Sequence, residues 1–285
     1  LAAVNSYTGG TRILPGGGVA FAGTDALGSG QIDLAGGALR YTGTAADLTH
    51  TLLVTADSEI EVATSACSLT PAGPICGTAS LTKTGQGTLI LSGLAAMFTG
   101  PMHVNQGTLE LPMGLPTSGG ALSVGPGGTL LAGGTVKRMV DSAGAIVAAD
   151  DLTLGHSSAD MVAITGTLDI GAHAVTLSSA KPVPLGTQTT LAAGGILATY
   201  HGALLGGAST VDPSKTLTAT GSADVLGDFV NNGAVGGPGG SDVLVFHNIV
   251  SGAGSFSGNV EFDGAYAPGN SRAIVNMEGL RLGGV

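Results

Sequence analysis

The sequence predicts an all-β fold, a right-handed parallel β-solenoid with glycine-rich turns. Three observations point to it: a short phrase recurs at a nearly constant interval, side chains around that phrase alternate between apolar and polar, and glycine separates the runs. Alternation with a period of two is typical of β-strands, and recurrence every twenty or so residues is typical of stacked repeats. Each turn of such a solenoid buries its apolar side chains against the turns on either side.

The recurring phrase is Gly-Thr-Leu. It begins at Gly87, Gly107 and Gly128, in steps of 20 and 21 residues, and returns at Gly166 after 38 residues, close to two further steps. In "GTLILSG" and "GTLELPMG" leucine alternates with other residues, so each copy reads as a short strand. Helices are predicted to be nearly absent, because glycine interrupts every long 3.6-residue periodicity. A β-sandwich is the competing fold, but it usually has longer strands and buried aromatic side chains.

The composition excludes several classes of partner. The chain has 285 residues with 51 glycines, no Trp and 4% aromatic residues, which predicts a core of stacked aliphatic side chains. Lys and Arg number 9 against 19 Asp and Glu, a net charge of −10. Such an acidic chain is not expected to bind nucleic acid or an anionic membrane surface, since both attract basic residues. The nearest candidate for a membrane span, residues 191–205, is interrupted by glycines and polar residues, so no membrane insertion of this segment is expected.

The two cysteines, Cys67 and Cys76, enclose the turn-rich segment "CSLTPAGPIC". Its two prolines and its glycine favour a chain reversal that brings the ends together, so we expect a disulfide and an oxidising, extracytoplasmic setting. Two unrelated free thiols are the alternative; a metal site is less favoured, because four ligands are usual and no histidine lies nearby. The Gly-Thr-Leu phrase is lost here, which predicts a loop excursion near residues 57–79.

Two parts of the chain are expected. Residues 1–230 form the solenoid with its excursion, and residues 231–285 begin with the glycine-rich joint "NNGAVGGPGG" and continue with further turns. No signal peptide is visible in the opening "LAAVNSYTGG", and the chain stops at "RLGGV" within the repeating pattern. A truncated chain, either a segment of a longer protein or a processed product, is therefore expected.

Two segments carry a more specific pattern. In residues 81–114, "KTGQGTLILSG" follows Lys-x-Gly-x-Gly-Thr-Leu-x-Leu-x-Gly, with the lysine at Lys83, and in residues 5–41 "NSYTGGT" follows Asn-x-Tyr-Thr-Gly-Gly-Thr. These patterns resemble the autotransporter-associated β-strand repeat family of secreted bacterial proteins. Residues 246–276 are similar to a segment of autotransporter passengers and other surface proteins, although Arg272 and Ala273 replace the usual Pro-Gly. The resemblance implies an extracellular or cell-surface β-helical stalk or adhesin, and it implies no chemistry.

Motifs that would carry chemistry are weak. "GHSSAD" at residues 155–160 places Ser157 as in a nucleophile elbow, but no helix follows, so an ordinary turn is expected. "GAGSFSG" at residues 252–258 lacks the glycine spacing and βαβ context of a dinucleotide site and is also expected to be a turn. No catalytic, cofactor-binding or metal-binding residue is predicted, and no cofactor.

The ionisable residues offer one alternative. Six histidines are isolated in the sequence, and isolated histidines are usually surface or internally paired residues. They are His50, His103, His156, His173, His201 and His247. The aspartates that merit attention are Asp141, Asp150, Asp151, Asp160 and Asp169. A turn of about twenty residues would place Asp150 near Asp169. Because neither a calcium-binding repeat nor an EF-hand loop is present, a solvated acidic edge is predicted there.

The predicted function is non-enzymatic. The chain is expected to be a structural or adhesive solenoid of a bacterial surface protein that binds polysaccharide or further copies of itself through exposed rows of Thr, Ser and Asn, and that can assemble into filaments or a biofilm matrix. A polysaccharide-degrading β-helix is the alternative. It would need basic residues or facing carboxylates, and aromatic platforms for sugars; adjacent aspartates such as Asp150 and Asp151 should point to opposite faces of a strand.

Overall fold

The computed structural model describes residues 4–155, 161–201, 204–205, 208–268 and 280–282. The chain divides into two compact units, Leu1–Arg138 and Met139–Val285, called unit 1 and unit 2 below. Each unit is a parallel β-solenoid, and the described turns number about 11 in all. The prediction of an all-β solenoid is confirmed, whereas the right-handed sense of the coil stays a prediction.

In unit 1 the strands are short, with two long exceptions that run through a bend. They are β1 (Thr11–Ile13), β2 (Gly18–Phe21), β3 (Ile32–Ala35), β4 (Ala38–Tyr41), β5 (Ala45–Leu48), β6 (Leu52–Ala56), β7 (Ser58–Val62), β8 (Ser68–Pro71), β9 (Ile75–Gly77), β10 (Leu81–Thr84), β11 (Thr88–Ile90), β12 (Met102–Leu111), β13 (Gly114–Leu115) and β14 (Leu122–Val136). Two single-turn 3-10 helices, Thr24–Leu27 and Gly93–Met97, lie between strands.

Unit 2 continues the pattern with strands of similar length. They are β15 (Val140–Ser142), β16 (Ala145–Leu154), β17 (Val162–Ile164), β18 (Thr167–Gly171), β19 (Ala174–Ser178), β20 (Val183–Leu185), β21 (Gln188–Leu191), β22 (Ile196–His201), β23 (Leu204–Leu205), β24 (Ala208–Val211), β25 (Thr216–Ala219), β26 (Ala223–Leu226), β27 (Asp228–Asn231), β28 (Ala234–Gly236), β29 (Leu244–Phe246), β30 (Val250–Gly252), β31 (Ser255–Ser257), β32 (Val260–Phe262), β33 (Tyr266–Pro268) and β34 (Leu280–Leu282).

Strand pairing is parallel from turn to turn. In unit 1, β1, β3, β6 and β9 form one ladder, and β2, β4, β7, β10, β12 and β14 form another. In unit 2, β20, β24, β27, β30 and β33 form a separate five-stranded sheet. Among the described pairs, β22 with β23 is antiparallel. Parallel pairing follows because each strand returns to the same face one full turn later.

The recurring Gly-Thr-Leu phrase marks one rung of the solenoid. Leu69, Leu89, Leu109 and Leu130 stand in register on successive strands, and each is 0% exposed. In each Gly-Thr-Leu phrase the threonine points outward while the leucine points into the core, because side chains alternate between the two faces of a strand. Stacking identical leucines buries apolar surface at about 25 cal/mol per Å². The repetition in the sequence is therefore the repetition of this buried leucine ladder.

Turn length explains why the phrase fades in the second half of the chain. Residues that pair on neighbouring strands of unit 1 are 20 to 23 positions apart in the sequence. In unit 2 the separations of residues paired on parallel strands run from 16 to 28 positions. A sequence repeat with a fixed period can be recognised only where the turns have nearly equal length.

The core of unit 2 corrects one expectation. The sequence predicts purely aliphatic stacking, but the last turns of this unit stack aromatic rings instead. Phe246 pairs in register with Phe262, with ring centroids 5.8 Å apart, and Phe229 lies 4.9 Å from Phe246. Phe256 and Tyr266 complete the cluster, each at 5.2 Å or less from Phe262. Few aromatic residues suffice because they are placed at matching positions of successive turns.

The predicted disulfide is not found: Cys67 and Cys76 are free cysteines in the structure. Cys67 is buried, with its Sγ atom 3.1 Å from the hydroxyl of Thr64. Cys76 is exposed, next to the buried Ile75 on β9. One side chain thus points into the core and the other into solvent, which keeps the two sulfur atoms from meeting.

The predicted loop excursion near residues 57–79 is replaced by regular structure. Strands β7, β8 and β9 occupy this segment and pair with strands of neighbouring turns. The glycine-rich residues 231–240 likewise include β28, which pairs with β25 and β31. A domain boundary at residue 231 stays a prediction. No helix of the described residues is long and apolar enough to cross a membrane.

Candidate functional site

An open polar groove lies in unit 1 and has a volume of about 470 Å³. It runs across successive turns at the corner between the β1 ladder and the β2 ladder. Its lining comprises Gly16, Gly17, Gly36, Gly37, Ala38, Asp57, Ser58, Glu59, Thr82, Thr84 and Asn105. Glycine and alanine line the first turns, and acidic, hydroxyl and amide side chains line the later ones. With strands about 4.8 Å apart, the groove extends for about 19 Å.

Hydrogen bonds between turns fix the polar wall of the groove. The backbone N–H of Gly36 donates to Oγ of Ser58 at 2.9 Å, and that hydroxyl donates to the carbonyl oxygen of Ala56 at 2.7 Å. The carboxylate of Asp57 accepts from the N–H of Ser80 at 2.9 Å, and Glu59 accepts from the hydroxyl of Thr84. Both carboxylates are thus held by the following turn, so the groove is shaped before any ligand arrives.

The charge of the groove favours neutral ligands over anionic ones. Asp57 and Glu59 contribute negative charge, and no Lys or Arg is among the described residues that line the cleft. Arg40, on the same face, is paired with Glu61 at 3.3 Å. An anionic polymer would meet unbalanced negative charge here, whereas neutral hydroxyl groups could accept and donate hydrogen bonds with the wall.

A buried lysine lies directly beneath the groove. Lys83 is 1% exposed and points inward between the outward-facing Thr82 and Thr84. Its ammonium donates to the carbonyl oxygens of Thr84, Gly85 and Gln106 at 2.7, 2.8 and 3.0 Å. Burial lowers the pKa of Lys83 to about 8, against an opposing effect of Glu61. The repeat lysine is therefore a structural cation that joins two turns, a role its position in the sequence did not indicate.

Arg138, at the end of unit 1, is a second buried cation that joins turns. It is 1% exposed, and its guanidinium donates to the carbonyl oxygens of Phe98, Gly100 and Gly120. The bond to Gly100 measures 2.6 Å. Burial lowers the pKa of Arg138 to about 10. Carbonyl groups that turn inward at a bend would lack partners without this side chain.

Rows of hydroxyl groups were expected on an exposed face, and unit 1 carries one. Ser68, Thr88, Thr108 and Thr129 stand in register on successive strands, and each is partly exposed. Their spacing follows the strand separation of about 4.8 Å. The row gives a linear polymer equivalent hydrogen-bonding groups on each turn.

The motifs singled out in the sequence have different outcomes. Ser157, His156 and Asp160 lie outside the described residues. The segment 252–258, expected to be a turn, contains the last residue of β30, a short turn and the whole of β31. Asp169 accepts hydrogen bonds from the N–H of Gly171 on its own strand and from the hydroxyl of Thr190 on the neighbouring strand β21.

Asp150 does not meet Asp169. It clusters instead with Asp151 and His173, and the ligand atoms of the three side chains all lie within 4.8 Å of one another. Asp150 and Asp151 both face solvent, where opposite faces were expected. The reason is that β16 loses its alternation at residues 149–151, which are all exposed, as the strand bends between its two pairing partners, β18 and β19.

His247 is also paired across turns, although it is isolated in the sequence. Its Nε2 atom lies 2.7 Å from Oδ1 of Asp224, and its Nδ1 atom lies 3.2 Å from Oδ2 of Asp263. Burial alone would lower the pKa of His247, but the hydrogen bonds and charges of the two aspartates raise it overall. Neither partner could be identified from the sequence, because the separations differ, at 23 and 16 positions.

Comparison with known proteins gives two matches. The passenger-associated-transport-repeat family matches residues 1–20 and 81–111, which overlap the segments 5–41 and 81–114 whose patterns resemble autotransporter repeats. The chain is also 38% identical over 132 residues to the adhesin BmaC autotransporter of Brucella suis biovar 1. That match covers 44% of this chain and 4% of the relative, so the chain spans a small fraction of that protein's length. No solved structure matches the chain.

Both matches agree with the resemblance noted in the sequence. Lys83, which both the repeat pattern and the family match include, is the buried cation beneath the groove. The repeats correspond to stacked turns of the solenoid in unit 1. The expected autotransporter resemblance and the expected location are confirmed: residues 1–20 and 81–111 match the passenger-associated transport repeat, and this similarity to autotransporter passengers implies secretion to the cell surface or the extracellular space.

Proposed function

We propose that this chain is a non-catalytic adhesive module of a bacterial surface protein, whose groove in unit 1 binds a neutral polysaccharide. Its likeness to part of an autotransporter adhesin supports an extracellular adhesive or structural role. A parallel solenoid suits that role, because its stacked turns form a surface with a regular repeat.

The observation that carries the ligand class is the lining of the groove. Hydroxyl, amide and carboxylate groups from successive turns face an open cleft with no basic residue among its described lining. A linear neutral glycan presents hydroxyl groups at regular intervals and can bond to several turns at once. Many weak contacts of this kind add up to useful avidity.

A glycan array probed with the purified chain tests the proposal. Binding to one or more neutral glycans is expected, and Thr82→Val and Asn105→Ala should each weaken it several-fold, because each removes a polar group of the groove. Thr176→Val is the matched control: it removes a partly exposed hydroxyl of unit 2 and should leave the affinity unchanged. Binding only to anionic glycans, or equal losses in all three variants, would refute the groove as the site.

Polysaccharide degradation is the second candidate, because Asp57 and Glu59 both line the cleft. A glycosidase usually has two catalytic carboxylates that flank the sugar chain. Here each carboxylate already accepts a hydrogen bond from the next turn, which favours a structural role. Any glycan that binds should be recovered intact after long incubation. Shortened products that disappear with Asp57→Asn or Glu59→Gln would establish hydrolysis instead.

Self-assembly is a further proposal, supported by the parallel strand ladders of both units, since ladders of this kind can be extended by pairing with strands of another copy. Electron microscopy of native material tests it directly. Long fibres with a regular axial repeat would support assembly, and monodisperse particles at high concentration would count against it.

A further inference from the structure

We propose that Asp150, Asp151 and His173 form a site for a divalent transition-metal cation of the zinc class that joins two turns of unit 2. The three side chains come from β16 and from the segment just before β19, which lies on the next turn. Their ligand atoms all lie within 4.8 Å of one another. In the sequence these residues are two members of an acidic group and an isolated histidine, so only the fold reveals that they meet.

The donor set selects the class of metal. Calcium and magnesium prefer oxygen ligands only, whereas zinc and its neighbours accept an imidazole together with carboxylates. Around a zinc ion with bonds of about 2.0 to 2.1 Å, tetrahedral ligand atoms are separated by about 3.3 Å. Small side-chain rotations would bring the three groups to that spacing, and exposed side chains rotate at little cost.

The carboxylates are oriented by the backbone. Oδ1 of Asp150 accepts from the N–H of Asp151 at 2.8 Å, and Oδ1 of Asp151 accepts from the N–H of Ala174 at 2.8 Å. The second bond ties β16 to the residue next to His173. The other oxygen of each carboxylate stays available to bind a metal ion. Hydrogen bonds to the backbone such as these commonly hold metal-binding side chains in place.

The charges around the site are unbalanced within the described part of the chain. Neither Asp150 nor Asp151 takes part in an ion pair there, and the ring of His173 has no hydrogen-bonding partner there. Two adjacent exposed carboxylates repel one another, so a cation between them would relieve the repulsion. A neutral imidazole adds a third ligand without further charge, and water would complete the coordination.

Calorimetric titration of the tag-free, chelator-treated chain tests the site. One equivalent of Zn²⁺ should bind, with Ca²⁺ and Mg²⁺ at least about tenfold weaker. Asp150→Asn, Asp151→Asn and His173→Gln should each reduce the Zn²⁺ affinity about tenfold or more. The asparagine variants keep the Oδ1 acceptor and lose only the charge, so circular dichroism should show that they fold. The matched controls, Asp169→Asn and His103→Gln, should bind as the unmodified chain does.

A second measurement reports the imidazole directly. Bound Co²⁺ should give a visible absorption band that is lost in His173→Gln and kept in His103→Gln. The proposal fails if no Zn²⁺ binds below about 1 mM, if Ca²⁺ binds as tightly as Zn²⁺, or if His173→Gln binds Zn²⁺ as before. Either of the last two results would mean that Asp150 and Asp151 are part of an acidic surface edge and not of a specific zinc site.

Discussion

Nε2 of His247 lies 2.7 Å from Oδ1 of Asp224, on the preceding turn of unit 2, and this bond joins two stacked turns through their exposed edge. The other ring nitrogen faces the carboxylate of Asp263 at 3.2 Å. A ring nitrogen can donate to a carboxylate only when it carries a proton, so both bonds together require the doubly protonated imidazolium. The pair of aspartates therefore favours the charged histidine.

This arrangement predicts stability that depends on pH. The pKa of His247 is raised in the folded chain, so the stabilisation is fully present below the unfolded value of about 6.5 and is lost as the pH rises through the folded value. The contribution should be below about 1 kcal/mol, because the groups are partly exposed. Denaturant titrations between about pH 5.5 and 8.5 should show this loss in the unmodified chain and a smaller loss in His247→Gln. Identical pH profiles would contradict the prediction.

Removing the buried cation should destabilise unit 1. Lys83→Met leaves the carbonyl groups of Thr84, Gly85 and Gln106 without their shared donor, which should cost roughly 2 to 4 kcal/mol in the free energy of unfolding. Lys181→Met is the control, since Lys181 is exposed, and its effect should stay within about 0.5 kcal/mol. Equal stability of the two variants in urea titrations would show that the buried ammonium contributes little.

Gly107, the glycine of the second Gly-Thr-Leu copy, is required by close packing as well as by backbone conformation. Gly107 has φ +65°, and a Cβ atom there would overlap the carbonyl oxygen of Gly85 on the preceding turn. Gly93 has φ +55°, but a Cβ atom there would meet nothing within 4 Å, so this position carries the conformational cost alone. Gly107→Ala should lower the free energy of unfolding by about 3 kcal/mol or more, and Gly93→Ala by roughly 1 kcal/mol. If thermal or urea unfolding shows the same loss of stability for both variants, the preceding turn shifts at little cost to make room for the added Cβ atom.

The thiols should differ in reactivity. A thiol reagent should modify Cys76 quickly in the folded chain, and Cys67 only after unfolding, because Cys76 is exposed and Cys67 is buried. Cys76→Ser should abolish the fast reaction, and Cys67→Ser should leave it unchanged. If the unfolded chain reacts with the reagent only after reduction, the two cysteines form the disulfide that the sequence predicts.

The candidate sites were only partly predictable. Lys83 belongs to a recognisable repeat pattern and Asp150 to an acidic group, but the burial of the lysine and the partners of the aspartate did not follow from the sequence. The histidines show the same limit: His173 and His247 are isolated in the sequence, yet both lie beside aspartates of a neighbouring turn. The disulfide was inferred from short spacing and turn residues, which do not reveal that Cys67 points inward and Cys76 outward.

The sequence by itself determined the strand content, the stacked repeat and the outward threonines of unit 1, because alternation and a nearly fixed period act through local geometry and burial. Only the tertiary structure decided which side chains meet. Partners in a solenoid are one turn apart, and turn length varies from 16 to 28 residues in unit 2. A change of one residue in a turn moves every partner by one position and reverses the face it occupies, so the groove, the His247 pairing and the Asp150 cluster depend on the actual register.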